Sequence, residues 1–315
     1  MALFLVTGGG GFIGSNLVEA ILARGDSVRV LDNFSTGRRS NLADAAAWAK
    51  AGGGSFELAE GDIRELATCR SAVSGADYVL HQAAIPSVQR SIEDPLGSNE
   101  VNIGGTLNVL VASRDEKVKR FVMASSSSLY GESETLPKVE TMPPAPISPY
   151  GLQKLASETY GGLFHRLYGL PTIALRYFNV FGPRQDPTSE YSAVIPRFIT
   201  AIKGGTRPTI FGDGEQTRDF SFIANIVHAN LRACEAGPAA HGAAFNIACG
   251  ERISLNELVA TLGEFAGRDV QPVYAPHRPG DIKHSLAGID RARQTLGYRP
   301  DVSVRDGLKR TWERL

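Results

Sequence analysis

Apolar residues in the first part of the chain fall into two alternating kinds of run. Short continuous stretches read as strands: Leu3–Thr7, Val28–Asp32, Phe56–Glu60, Tyr78–His81, Phe121–Ser125 and Thr172–Arg176. Between them apolar positions return every three or four residues. Ser15–Arg24 carries Leu17, Val18, Ile21 and Leu22 on one face, and Gly104–Arg114 and Leu152–Tyr168 behave alike. Strands that are apolar throughout are buried on both faces, and strands separated by helices need crossover connections. The expected fold is therefore α/β, a doubly wound parallel sheet covered by helices.

Beyond Arg176 the pattern loosens. Gly182-Pro183, Gly204-Gly205, Pro208, Gly212 and Gly214 punctuate it, and helical periodicity recurs at Val194–Lys203, Ile226–Glu235, Leu255–Phe265 and Val304–Arg314. This reads as a smaller mixed α/β lobe closing over the end of the sheet. Residues 1–179, joined by about 222–248, are assigned to the sheet domain, and 180–221 with 249–315 to the lobe. No internal repeat interrupts this organisation.

Charge narrows the partners. With 33 basic and 33 acidic residues the formal net charge is zero, which argues against nucleic acid or an anionic membrane as partner. No apolar run approaches the ~18 residues of a membrane span. The apolar start, Met1–Val6, runs straight into glycines and is too short for a signal peptide. Cys69, Cys234 and Cys249 lack metal or redox spacing and read as inert thiols of a reducing compartment, so the expected location is the cytoplasm. No metal-ligand spacing is found among the six histidines.

The first strand leads into Gly-Gly-Gly-Gly-Phe-Ile-Gly, in which Gly8, Gly11 and Gly14 are spaced G-x-x-G-x-x-G before a helix. Glycine there permits a tight turn, close backbone approach to a pyrophosphate, and close helix–strand packing. The helix N-terminus then faces the anion. Asp32 ends the second strand 18 residues past Gly14, where a carboxylate meets a ribose 2′-hydroxyl and repels a 2′-phosphate. NAD is thereby favoured over NADP, with Arg38 and Arg39 as the features that would speak for NADP.

A second constellation follows. Ser148 suits a helix N-cap and Pro149 the first helical position, so Tyr150 and Lys154 stack at i and i+4. A phenol ionises near pH ~10. A neighbouring ammonium and a positive nicotinamide ring would lower that value and make Tyr150 a general base. Ser125 to Ser128 follow the apolar run Phe121–Ala124, at the strand end where open α/β sheets bind ligands.

Taken together these segments resemble the extended short-chain dehydrogenases, and within them the nucleotide-sugar 4-epimerases. The segments that carry the resemblance are TGGGGFIGSNL, LDNFSTG, GDIR, DYVLHQAA, SSSSLYG, SPYGLQK, RYFNVFGPRQDP, VIPRF, FGDGEQTRDF and RPGDIKHSLA. The resemblance implies a Rossmann-type domain that binds NAD and a lobe that binds a UDP-sugar. It implies catalysis by Ser126, Tyr150 and Lys154. Gly8, Gly11, Phe12, Ile13 and Gly14 would form the dinucleotide loop, and Asp32, Asn33 and Ser35 would hold the adenosine ribose. Asp62 and Ile63 would flank adenine, and Ala83 and Ala84 would lie toward the nicotinamide, with Tyr150 and Lys154.

On the substrate side the resemblance implies Asn179 at the diphosphate, Arg218 and Arg278 neutralising it, and Asp281 on the uridine ribose. Ser127 and Ser128 stand where related 4,6-dehydratases carry Asp-Glu and decarboxylases carry Glu. Lacking a carboxylate there, this chain is read as an isomerase. Ser285 matches a pocket-gating position where tyrosine restricts related enzymes to UDP-glucose and UDP-galactose, and Ser87 matches a position near a C2 acetamido group. UDP-N-acetylhexosamines are therefore expected as substrates besides UDP-glucose and UDP-galactose. A UDP-uronate 4-epimerase, another nucleotide-sugar-modifying enzyme, and an inactive NAD-binding sensor are the alternatives. A homodimer through Gly104–Arg114 and Leu152–Tyr168 is implied as well, and the prolines from Pro137 to Pro149 suggest a rigid loop over the site.

Overall fold

The computed structural model describes residues 1–186, 194–277 and 283–315. Strands β1 (Leu3–Thr7), β2 (Ser27–Asp32), β3 (Phe56–Glu60), β4 (Tyr78–His81), β5 (Arg120–Ser126) and β6 (Thr172–Tyr177) match the apolar runs to within a residue at each end. They form one parallel sheet in the order β3-β2-β1-β4-β5-β6, with a seventh strand beyond β6. Strand order reverses between β1 and β4, and ligands of such sheets bind outside the strand C-termini at that reversal.

Alternate residues of β1, β2, β4, β5 and β6 feed two separate apolar clusters, whereas β3, at the sheet edge and carrying Glu57 and Glu60, is half-buried to exposed rather than covered on both faces as expected. Val6, Val30, Leu80 and Val122 face one side, and Leu5, Leu31, Val79, Phe121 and Met123 the other. On the first side the sheet meets helices α1 (Phe12–Ala23) and α2 (Ala45–Gly52). On the second it meets α3 (Leu66–Val73), α6 (Thr106–Asp115) and α7 (Pro149–Tyr168), and the short helices α4 (Val88–Glu93) and α5 (Pro95–Asn99) pack against α7. Leu17, Val18, Ile21 and Leu22 are all buried, as their spacing requires.

Two elements differ from their sequence patterns. Helix α1 begins at Phe12, three residues before the periodic stretch, because the glycine turn itself delivers the chain into helical geometry. The expected helix from Gly104 is a π-helix over Glu100–Gly105 that continues as α6. The wider turn shifts the helical phase and buries Asn102, which accepts from Ile85 N (2.7 Å) and donates to Gln153 Oε1 (2.7 Å).

The second half builds small pairs: β7 (Val180–Phe181) with β10 (Ser221–Phe222), β8 (Thr209–Phe211) with β13 (Val273–Ala275), and β9 (Thr217–Arg218) with β12 (Ile253–Ser254). Helices α8 (Val194–Lys203), α10 (Leu255–Ala266), α11 (Asp290–Leu296) and α12 (Val304–Arg314) accompany them, while α9 (Ile223–Glu235) packs mainly against α1, β5 and β6 of the main sheet. Ser254 and Glu257 cap α10 reciprocally. Between these pieces β11 (Ala243–Ile247) returns to pair with β6 as the seventh strand of the main sheet. The three cysteine thiols are buried, and burial pushes each up to about 12, so none is a thiolate at neutral pH. Among the described residues no helix is long and apolar enough to cross a membrane, and no group of acidic, histidine and cysteine side chains could hold a metal ion.

Candidate active site

A cleft of about 550 Å³ opens at the C-terminal ends of β1, β2, β4 and β5. Its near wall is the glycine turn. Gly8 has φ +70°, and a Cβ there would lie 2.7 Å from the Ala83 nitrogen; one on Gly14 would lie 2.1 Å from the Gly8 carbonyl oxygen. Neither position has room for a side chain, so the turn presses directly against the loop after β4. Gly11, Phe12 and Ile13 complete this wall.

Asp32, only 8% exposed, accepts from Gly10 N at 2.7 Å and from Phe34 N at 2.8 Å. Its carboxylate pins the turn and borders the cleft. Beside it Asn33 Nδ2 donates to Asp62 Oδ2 (2.8 Å), and Ser35 N donates to Asn33 Oδ1 (3.0 Å). The Arg64 hydrogen bond above all holds the Asp62 carboxyl down to about 2. Ile63, Ala83 and Ala84 close the far side, so every residue expected at the cofactor lines one cavity. Of the features that would favour NADP, Arg38 borders the cleft and pairs there with Asp186 (2.5 Å), and Arg39 pairs with Glu60. A cradle shaped for close pyrophosphate approach, with a carboxylate at the ribose position, fits NAD.

The cleft floor is where β5 meets α7. Ser148 Oγ accepts from Gly151 N (3.1 Å) and caps α7, with Pro149 in its first turn. Three successive turns of α7 are then tied to three successive residues of β5. The Tyr150 hydroxyl is hydrogen-bonded to Ser126. Lys154 Nζ donates to the Ala124 carbonyl at 3.0 Å. Ser125 Oγ donates to Glu158 Oε2 at 2.8 Å. Lys154 Nζ lies 5.8 Å from the Tyr150 ring centroid. Ser128 donates to Ser126 Oγ through both its N–H (3.2 Å) and its hydroxyl (2.9 Å), and Ser127 and Ser128 border the cleft.

The protein's own groups leave Tyr150 a weak acid. Burial pushes the Tyr150 phenol up to about 12, and the Ser126 hydrogen bond only partly opposes it. Burial also brings the Lys154 ammonium down to about 8. Tyr150 is half-buried and lines the cleft, and the desolvation cost of a phenolate there outweighs what the Ser126 hydrogen bond contributes. His81, enclosed by protein, is held neutral by burial down to about 3, its ring between the hydroxyls of Thr7 (2.7 Å) and Thr106 (2.9 Å).

Beneath the serines lies a buried pair that sequence reading missed. Arg176 donates to Glu158 through Nη2 (2.5 Å) and Nε (3.0 Å) and to the Tyr130 hydroxyl through Nη1 (2.7 Å). Tyr130 donates to Asn246 Oδ1 (2.7 Å) on β11. Glu158 stands at the next helical step after Tyr150 and Lys154, and that i, i+4, i+8 spacing was the one available signal.

The substrate-side residues are less gathered. Asn179, with φ +35°, donates to the Asp219 carbonyl (3.0 Å) and borders both the main cleft and an adjoining cavity of about 260 Å³. Arg218 borders that second cavity, its Nη1 donating to the Thr217 carbonyl (3.0 Å). Asp219 clasps the lobe by accepting from the N–H groups of Cys249, Gly250 and Ala287, and burial pushes its carboxyl up to about 7. Ser87 Oγ accepts from Arg90 N and caps α4, beside Pro86 and Val88 at the cleft rim. Ser285 N donates to the Thr217 carbonyl (3.0 Å), which sets it beside Arg218. Arg278 and Asp281 lie outside the described residues.

The sequence model of the NAD dependent epimerase/dehydratase family matches residues 4–248. The UDP-glucose 4-epimerase of Mycolicibacterium smegmatis is 39% identical over 311 residues, covering 98% of this chain and 97% of that protein. The UDP-N-acetylglucosamine 4-epimerase of Methanobrevibacter ruminantium, solved with UDP-N-acetylmuramic acid, superposes with a TM-score of 0.92 at 37% identity over 99% of this chain and 97% of its own. The UDP-glucose 4-epimerase of Thermotoga maritima, solved with UDP-glucose, gives a TM-score of 0.92 at 38% identity over 99% and 98%.

Proposed function

Because the chain belongs to the NAD dependent epimerase/dehydratase family, we propose that it interconverts UDP-hexoses at C4 through a 4-keto sugar. The substrates are UDP-glucose and UDP-galactose together with their N-acetylated counterparts. It is an NAD-dependent isomerase of Rossmann-type α/β fold. The reading rests on one observation: Ser126, Tyr150 and Lys154 converge on the floor of the glycine-walled cleft, with hydroxyls rather than carboxylates at Ser127 and Ser128. That absence of a second acid disfavours elimination and decarboxylation.

In this reading Gly8, Gly11, Phe12, Ile13 and Gly14 hold the pyrophosphate, and Asp32, Asn33 and Ser35 the adenosine ribose. Asp62 and Ile63 flank adenine, and Ala83 and Ala84 lie toward the nicotinamide. The chemistry NAD supplies when bound is reversible hydride acceptance at the sugar C4, with a positive ring that favours a phenolate nearby. Tyr150 takes the proton of the 4-hydroxyl and returns it after the ketone has turned over. Ser126 holds that hydroxyl in line, and Lys154, anchored on Ala124, keeps positive charge beside the phenol. Asn179 and Arg218, with Arg278 and Asp281, tether the UDP so that the sugar can present its other face without leaving.

Residues 1–179 with about 222–248 are assigned to the cofactor domain and 180–221 with 249–315 to the substrate lobe; pairing of β11 with β6 supports that division. The test is product analysis on UDP-glucose, UDP-N-acetylglucosamine and UDP-glucuronate. Serine at 285, with Ser87 near the acetamido group, is expected to admit the first two. Conversion of UDP-glucose alone overturns the wide-pocket reading, and conversion of UDP-glucuronate alone makes the enzyme a uronate epimerase.

A homodimer belongs to the same proposal, supported by exposed Leu152, Leu167 and Tyr168 on α7 and Ile92 and Leu96 beside it. A one-chain mass by light scattering at micromolar concentration would count against it. The cytoplasm is the proposed location, supported by three unpaired cysteines.

A further inference from the structure

Three hydrogen-bonding groups converge on one oxygen at the cleft floor. Ser126 Oγ caps the short turn Ser127–Tyr130 by accepting from Ser128 N at 3.2 Å. It also lies 2.9 Å from Ser128 Oγ and is hydrogen-bonded to the Tyr150 hydroxyl. A hydroxyl has one proton and two lone pairs. A backbone N–H can only donate, so Ser128 N takes one lone pair. The other lone pair and the proton are divided between the Ser128 hydroxyl and Tyr150.

The ionised form of Tyr150 decides that division. A phenolate can only accept, so Ser126 gives it the proton, and the second lone pair of Ser126 takes the proton of Ser128. With the proton turned toward Ser128 instead, a lone pair of Ser126 would face the phenolate, acceptor against acceptor. The hydroxyls then run in one direction, Ser128 to Ser126 to Tyr150, and bonds in such a chain polarise one another. The turn that carries Ser128 is firmly held. Leu129 and Tyr130 are buried, and Ala145 N donates to the Leu129 carbonyl at 2.9 Å. A Cβ on Gly151 would lie 2.9 Å from the Ser128 carbonyl oxygen, so the first turn of α7 rests directly on the Ser128 backbone. The helix that presents Tyr150 thereby also fixes Ser128.

We propose that Ser128 is a positioning residue for the reaction: its hydroxyl fills the second lone pair of Ser126 Oγ and aims the Ser126 proton at Tyr150. The inference rests on the epimerase reading and deepens it. Ser126 is then a donor to the phenolate and not a relay, and the proton of the sugar 4-hydroxyl passes to Tyr150 without crossing Ser126.

The test is steady-state kinetics of the NAD-loaded protein on UDP-glucose or UDP-N-acetylglucosamine, whichever turns over. Ser128→Ala keeps the backbone N–H and removes the hydroxyl. It is expected to lower kcat by about tenfold, with KM and bound NAD within about twofold of the unmodified protein. Ser128→Thr, which keeps the hydroxyl, is expected to recover kcat to within about threefold. In a Ser126→Ala background, Ser128→Ala is expected to change kcat by less than about twofold, because the oxygen it acts on is gone. Ser128→Cys, a weaker donor, is expected to fall between alanine and threonine, and it stands in for the alanine variant if that fails to fold. Four results overturn the inference and leave the epimerase reading intact: an unchanged kcat in Ser128→Ala or its stand-in, a loss in KM rather than kcat, a threonine variant as slow as alanine, or losses that multiply in the double variant. The second and fourth would set Ser128 against the substrate itself. Absence of turnover by the unmodified protein on any UDP-hexose overturns the epimerase reading instead.

Discussion

Tyr150→Phe is expected to lower turnover by about a thousandfold, within the range that general acid–base catalysis contributes, while leaving the cofactor bound. The substitution removes one oxygen, the one that hydrogen-bonds Ser126, and leaves a ring of the same shape over Lys154. Nothing in the glycine turn or at Asp32 depends on that hydroxyl, so cofactor content should match the unmodified protein. The measurements are steady-state epimerisation and NAD released from purified protein. A variant that kept more than about a tenth of its turnover would place the base elsewhere. An unmodified protein with no turnover on any UDP-sugar would revive the sensor reading. Because burial pushes the phenol up to about 12, its action as a base depends on positive charge brought to the cleft, more than on Lys154 alone.

The second large effect concerns stability. Arg176 and Glu158 are 6% and 12% exposed at their side chains and 2.5 Å apart. Glu158→Ala leaves a buried guanidinium without its counter-charge, an expected loss of about 3–5 kcal/mol and a fall in Tm on the order of 10 °C. Replacing both members with apolar residues, as in Glu158→Leu with Arg176→Met, should recover most of that loss, since two unpaired desolvation penalties vanish together. Thermal melts of the single and double variants check this. A double variant no more stable than Glu158→Ala would mean that Tyr130 and Ser125, rather than the opposing charges, dominate the cluster.

Much of the frame was visible in the linear pattern because it depends on near neighbours. Six strands show as apolar runs, and the glycine spacing, the Ser148 cap and the Tyr150–Lys154 pair each lie within a few residues. What escaped depends on partners far along the chain. Glu158 looks like one more surface acid of a long helix until Arg176, Tyr130 and Asn246 are folded around it. Asn102 sits in a helix whose extra half-step has no signature in apolar spacing. Helix α2 is mostly alanine and offers little periodicity to read. The effect of burial on Tyr150 could not be read from spacing, because adjacency to a cation is legible and desolvation is not.

The return of β11 to the edge of β6 bears on how the molecule is made. The last strand of the cofactor sheet is encoded after the first segment of the opposite lobe, and Asn246 on it is held by Lys138 and Gly288 as well as by Tyr130. A nascent chain that has emerged only through β6 presents an open strand edge, the kind of surface that recruits foreign strands. The sheet can be completed only once residue 247 has left the ribosome, so neither half is an independent unit of biosynthesis. A gene fragment ending near residue 180 would encode the glycine turn and the catalytic helix without the strand that covers the β6 edge.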